Sequence, residues 1–188
     1  MIEKVVEIFA EKITSYNVFN NLFPGIIFCF VLNHTTKFNI RTESILQNVF
    51  IYYFVGMVIS RIGSLFIDKI LKKIKIKNKK TKKKEAFLVF ENYSDYIEAS
   101  KKDEKIEVLS ETNNTYRTLI ALFFSLVIVK LYEMFLHNFL LKVIGKNVTI
   151  VLLFLLLSAM FLFSYRKQTE YICERVEKHK KEIEGGNL

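Results

Sequence analysis

Tryptophan is absent from this chain, proline occurs once, cysteine twice, histidine three times and glycine six times. Each scarcity removes a class of protein. Two cysteines cannot staple a small secreted domain, and three dispersed histidines offer no metal-ligand spacing. An all-β sandwich needs turn residues every ~8–12 positions, which this composition cannot supply. A Gly-rich phosphate loop, an HExxH helix, a cysteine pair at metal spacing and a G-x-S-x-G elbow are also missing. The sequence therefore predicts neither an enzyme nor a cofactor.

What remains is apolar and basic at once. Of 188 residues 51% are hydrophobic, yet the formal net charge is +9, so the two properties must be segregated along the chain. Segregation of this kind marks a membrane protein. The expected fold is all-α: a polytopic membrane protein with four transmembrane helices and a helical cytoplasmic region. The apolar blocks run over 18–33, 45–67, 118–137 and 148–165, close to the ~20 helical residues that cross a ~30 Å hydrocarbon core. This divides the chain into an amphipathic N-terminal helix (1–17), the first two spans (18–67), a basic strip with cytoplasmic helices (68–112), the last two spans (113–165) and a cytoplasmic C-terminal helix (166–188). Acidic residues come early and the Pro24–Gly25 step is no cleavage motif, so the first span reads as retained rather than as a signal peptide.

Lysine and arginine set the orientation, because short cytoplasmic loops keep positive charge. Segments 1–17, 68–117 and 166–188 hold 22 of these residues, whereas Lys37, Arg41, Lys130, Lys142 and Lys146 make five on the opposite side. Both termini are thus expected in the cytoplasm, the membrane being a bacterial inner one. Cys29 then lies within a span and Cys173 in a reducing compartment, so both are expected as free thiols.

Residues 72–84 carry nine lysines in thirteen positions and are expected to form a solvated strip. It reads either as a topology determinant touching anionic lipids, each lysine contributing roughly 1 kcal/mol near the surface, or as a collector of soluble polyanions. Beyond it, Phe87, Phe90, Tyr93, Tyr96 and Ile97 recur at helical spacing, an aromatic side that packs on another cytoplasmic helix or meets a partner. From Lys101 no glycine or proline intervenes before the third span, and the fourth runs on into charged sequence. Two long helices projecting from the bilayer are predicted.

Two sets of polar residues stand out. Arg61, Asn113, Asn114, Tyr116, Arg117, Arg166 and Lys167 collect where spans meet cytoplasm, Arg61 lying inside its span. Guanidinium groups fork onto phosphates, tyrosine stacks on bases and asparagine pairs with base edges, so together they are candidate ligand-binding residues. The simpler reading is snorkelling to headgroups. The second set is Asn20, Asn21, Lys130 and Glu133, candidates for lining a pore. The alternatives are capping of backbone groups freed at a break near Pro24–Gly25 and an i, i+3 ion pair on one helix.

With NNLFPG at 20–25, the lysine strip at 72–84 and NNTYRT at 113–118, the layout resembles the small four-span membrane effectors of bacterial anti-phage systems, the Hailong channel effectors in particular. The resemblance implies a homo-oligomeric ion channel, tetrameric in those effectors, controlled by a nucleotide or short single-stranded oligonucleotide made by a partner nucleotidyltransferase. It also implies that the Asn, Tyr and Arg band holds that ligand. Against it stand a non-conducting membrane anchor that recruits a cytosolic partner and a holin-like pore-forming protein.

Overall fold

The computed structural model describes residues 15–77, 84–88, 92–136 and 145–185. Residues 1–14 of the expected N-terminal amphipathic helix, Phe90, His137 and the tip of the lysine strip fall outside these residues. The described chain is predominantly helical. Helix α1 comprises Ser15–Asn17, a π-helical turn Val18–Leu22 and Phe23–Thr35. Helix α2 comprises Ile45–Ile62, a π turn Gly63–Ile67 and Asp68–Lys73. Strands β1 (Lys75–Lys77) and β2 (Lys84–Ala86) follow, then α3 (Tyr93–Lys102), α4 (Lys105–Leu131, with a π turn Tyr132–Leu136) and α5 (Lys146–Gly185). Helices α1, α2, α4 and α5 are each long and apolar enough to cross a membrane.

Local chemistry sets the boundaries. Ser44 caps α2 by accepting from the Gln47 N–H. Gly145, at φ 82°, supplies the left-handed residue that opens α5. Asp103 adopts an extended conformation and accepts the Lys105 N–H at 3.0 Å, which separates α3 from α4. The expected helix from Lys101 is therefore two helices, with an aspartate rather than glycine or proline as the break. Pro24 does not break α1 either. The Phe23 N–H reaches back to the Val18 carbonyl, and the widened turn accommodates a residue that cannot donate.

The lysine strip also departs from expectation. β1 and β2 pair antiparallel, Lys75 opposite Ala86, Ile76 opposite Glu85 and Lys77 opposite Lys84, so an all-α description is corrected by one short ribbon. The alternating Lys-Ile-Lys sequence, too short for an apolar helix face, suits an extended ladder.

Helices α1 and α2 meet backbone to backbone. A Cβ on Gly25 would lie 1.8 Å from the Tyr52 carbonyl oxygen, and one on Gly56 would lie 1.6 Å from that of Asn21. Helix α4 joins them through a core of Phe28, Cys29, Leu32, Ile59, Ile67, Ala121 and Leu122. Buried Asn20 donates to the Ser60 hydroxyl at 3.0 Å and accepts from the Thr118 hydroxyl at 2.7 Å. At the other end of α1, the Lys130 ammonium donates to the Thr35 carbonyl and Glu133 accepts the Lys37 N–H at 2.6 Å. Thus α1 and α4 run parallel and α2 packs antiparallel to both. Helix α5 follows the direction of α2, since Phe54 stacks near Phe161 and Ser64 meets Lys167. It packs least, leaving Phe154, Leu155, Leu156, Leu162 and Phe163 exposed.

Candidate functional site

The up-down order gathers the second half of α2, the entry of α4 and the middle of α5 at one end of the bundle. There the π turn of α2 frees its backbone: Lys167 donates to both the carbonyl and the hydroxyl of Ser64, each at 3.0 Å. Its ammonium also lies 3.7 Å from the Asp68 carboxylate and 5.8 Å from the centre of the Tyr171 ring. Asp68 is shared with Lys72 at 3.1 Å. Arg117 closes the cluster from α4, within electrostatic reach of Asp68, Tyr16, Tyr171 and Arg61. Its backbone carbonyl would stand 3.2 Å from a Cβ on Gly63, so the glycine lets α4 come close enough to bring the guanidinium in.

Charge is unbalanced here. Asp68 is the carboxylate acting on both Arg117 and Lys167, and Glu174 acts on Tyr171, while Arg61, Lys72, Arg117 and Lys167 bring four cations. Among the described residues the buried Arg117 Nε has no hydrogen-bond partner. A buried donor on a cation left unpaired is costly. An anion entering the cluster would satisfy both the donor and the excess charge, and a phosphate group matches a guanidinium fork.

Of the residues expected at a ligand site, the fold brings Arg61, Arg117 and Lys167 together. Tyr116 is exposed and lines a separate groove of about 280 Å³ with Tyr16, Phe19 and Glu111. Arg166 faces outward and pairs with Glu170 at 3.0 Å. Asn113 is exposed, and the Asn114 carbonyl receives the Thr118 hydroxyl at 2.9 Å. Asp68, Tyr171 and Thr118 escaped the sequence reading. Asp68 had a legible signal, because Arg61, Ser64 and Asp68 fall at i, i+3 and i+7 on one face of α2.

Asn20, Asn21, Lys130 and Glu133 lie in two places. Asn20 is enclosed among three helices, and Asn21 donates to the Asn17 side chain at 3.3 Å with its own Oδ1 buried and without a partner among the described residues. Lys130 and Glu133 form an ion pair of 2.7 Å at the opposite end, the lysine side chain about half exposed. π turns contain Asn20 and Asn21 in α1, Ser64 in α2 and Glu133 in α4, a feature frequent at functional sites.

On the charged side of the cluster, α3 lies on α5. Tyr93 packs at a tilt against Tyr171 with ring centres 4.7 Å apart, Ile97 is buried, and Lys178 binds the Ser94 carbonyl and the Glu98 carboxylate. The Lys178 bond and charge, with Lys102 adding to both, hold the Glu98 carboxyl below the usual carboxylate range. Aromatic Tyr93 and Tyr96 are stacked on each other in this packing. No known protein family, curated protein or solved structure matches the chain, and its function is read from this chemistry. Fold and site together define a helical protein with four helices fit to cross a membrane and a cation cluster at one end of their bundle.

Proposed function

We propose that the protein is a homo-oligomeric membrane channel whose state is set by a nucleotide or short oligonucleotide bound at the Arg61–Arg117–Lys167 cluster. In this reading α1, α2, α4 and α5 cross a bacterial inner membrane, with the cluster and both termini on the cytoplasmic side, and the channel acts as an effector of anti-phage defence. The observation that carries it is the surplus of cations around Asp68 with the Arg117 Nε unpaired. Phosphates supply the missing acceptors, and oligonucleotides present several in a row. The cluster ties α2, α4 and α5 together, so a ligand there shifts the arrangement of the spans by its differential affinity for the two states. The uncovered apolar faces of α4 and α5 are ones that lipid covers; several copies are invoked because Asn20 is enclosed within one chain, so a pore would form between chains. At the far end the half-exposed Lys130, paired with Glu133, faces water in this reading.

The test is binding of a labelled short single-stranded deoxyadenylate oligonucleotide to the purified protein, together with ion flux in liposomes. Arg117→Ala, Arg61→Ala and Lys167→Ala are each expected to weaken binding about 10- to 100-fold, the loss of one charge-assisted bond of roughly 1.5–3 kcal/mol, while insertion stays intact. Unchanged affinity in all three removes the site. Flux that responds to oligonucleotide supports the channel, constitutive flux a holin-like pore, and silence a membrane anchor. The anchor has less to offer a partner than its sequence implied, since Tyr93 and Ile97 are spent on packing within the chain.

A further inference from the structure

The β1–β2 ribbon has two unlike faces. Residues opposed across an antiparallel ladder share a face, so Lys75, Lys77, Lys84 and Ala86 lie on one and Ile76 and Glu85 on the other. The Phe87 N–H donates to the Ile74 carbonyl at 2.9 Å, continuing the ladder by one pair and placing both side chains on the face of Ile76. Ile74, Ile76 and Phe87 are exposed, the last two by 50% and 48%. Apolar but for Glu85 opposite Ile76, such a face on so small a ribbon is unstable in water without something to cover it.

Position and charge say what covers it. A single residue, Ile74, separates the ribbon from Lys73, where the apolar helix α2 ends. Exposed Phe66, Ile70 and Ile74 recur every four residues, so the uncovered stripe of α2 runs onto the apolar face of the ribbon without interruption. Lys72 and Lys73 close α2, and Lys75, Lys77 and Lys84 line the opposite face of the ribbon, so positive charge lies beside and behind that stripe.

We infer that the ribbon is a foot on the membrane surface: Ile74, Ile76 and Phe87 enter the boundary between headgroups and acyl chains, and these lysines hold the phosphates of anionic lipids. Lysine stems reach back to headgroups from an immersed backbone, and apolar area plus anionic attraction is the usual recipe for interfacial binding. The inference rests on α2 crossing a bilayer, and it is independent of any channel activity or nucleotide.

The chain contains no tryptophan, so a single introduced indole reports its own surroundings. Phe87→Trp, Ile76→Trp, Lys77→Trp and, as a control on α5, Phe163→Trp are made in the full-length protein. Each is reconstituted in phosphatidylcholine vesicles, with or without phosphatidylglycerol, and with brominated acyl chains as quencher. Expected are blue-shifted, quenched emission for Phe87→Trp, Ile76→Trp and Phe163→Trp, and solvent-like emission for Lys77→Trp. Omitting phosphatidylglycerol should lower quenching at Phe87→Trp by about twofold and leave Phe163→Trp unchanged. Quenched Phe163→Trp with unquenched Phe87→Trp and Ile76→Trp overturns the foot alone, as does equal quenching at Lys77→Trp and Phe87→Trp. An unquenched Phe163→Trp overturns the membrane reading itself. A response of Phe87→Trp to soluble heparin instead of lipid assigns the lysines to a soluble polyanion and also overturns the foot.

Discussion

Replacing Gly56 with alanine puts a methyl carbon 1.6 Å from the Asn21 carbonyl oxygen. Carbon and oxygen of this kind rest about 3.3 Å apart or more, so α1 and α2 must separate locally by about 1.7 Å, and neither side of the contact is a flexible side chain. Forcing a methyl into a filled interface costs about 3 kcal/mol at the upper end of the usual range. The better helix propensity of alanine offsets about 1 kcal/mol. The remaining ~2 kcal/mol raises the population of the opened helix pair about thirtyfold. Cys29 reads this opening directly: it lies four residues beyond Gly25 on α1 and is fully buried, whereas the other thiol, Cys173, is exposed and is removed as Cys173→Ser. Labelling of Cys29 by a lipid-soluble maleimide then tracks the open fraction. Gly63→Ala is the internal comparison, since its Cβ would meet Arg117 O at 3.2 Å and the Ala121 methyl at 3.4 Å, contacts relieved by a few tenths of an ångström. We expect labelling about thirtyfold faster in Gly56→Ala and less than about threefold faster in Gly63→Ala. Parental labelling in Gly56→Ala, or equal acceleration at Gly63, refutes the close crossing.

Asn20→Ala removes two interhelical hydrogen bonds, each worth about 0.6–1.7 kcal/mol inside a membrane, and should lower the midpoint of unfolding in dodecyl sulfate by about twice the effect of Thr118→Val. In the reconstituted channel, Lys130→Glu should shift anion-to-cation selectivity toward cations; identical reversal potentials would leave Lys130 its bonds to the Thr35 carbonyl and Glu133 alone. Lys178→Met should undock α3, seen as faster hydrogen exchange over residues 93–102 with no change in α1 and α2. The same docking is expected to depend on acid. Because the folded carboxyl of Glu98 sits below its ordinary value of 4.5, its contribution is complete above that value and is lost as pH falls through the lowered one. Exchange over 93–102 should accelerate in that window for the parent beyond the intrinsic trend, and Glu98→Gln should flatten the response.

Composition and periodicity made four apolar helices, their approximate limits and the clustering of lysine at one end of the hydropathy pattern legible, because the length of an apolar run and the placement of charge are one-dimensional properties. Arg61, Arg117 and Lys167 could be picked out for the same reason: a cation at the edge of an apolar run is conspicuous. Their convergence was not visible. It depends on which face of α2 meets α4, and that is set by Gly56 and Gly63 allowing backbones to touch and by Asn20 joining Ser60 to Thr118. Asp68 and Tyr171 acquire meaning only once α5 lies beside α2, so a sequence scan passes over them as ordinary charged and aromatic helix residues. Pro24 and Asp103 show the converse: the first invited a break and the second did not. Where a helix bends, widens or stops is decided by which carbonyl finds a donor, and neighbouring helices and side chains share in that decision. The lysine strip likewise carries its charge in one dimension, but its two faces exist only because the strands pair across the ribbon.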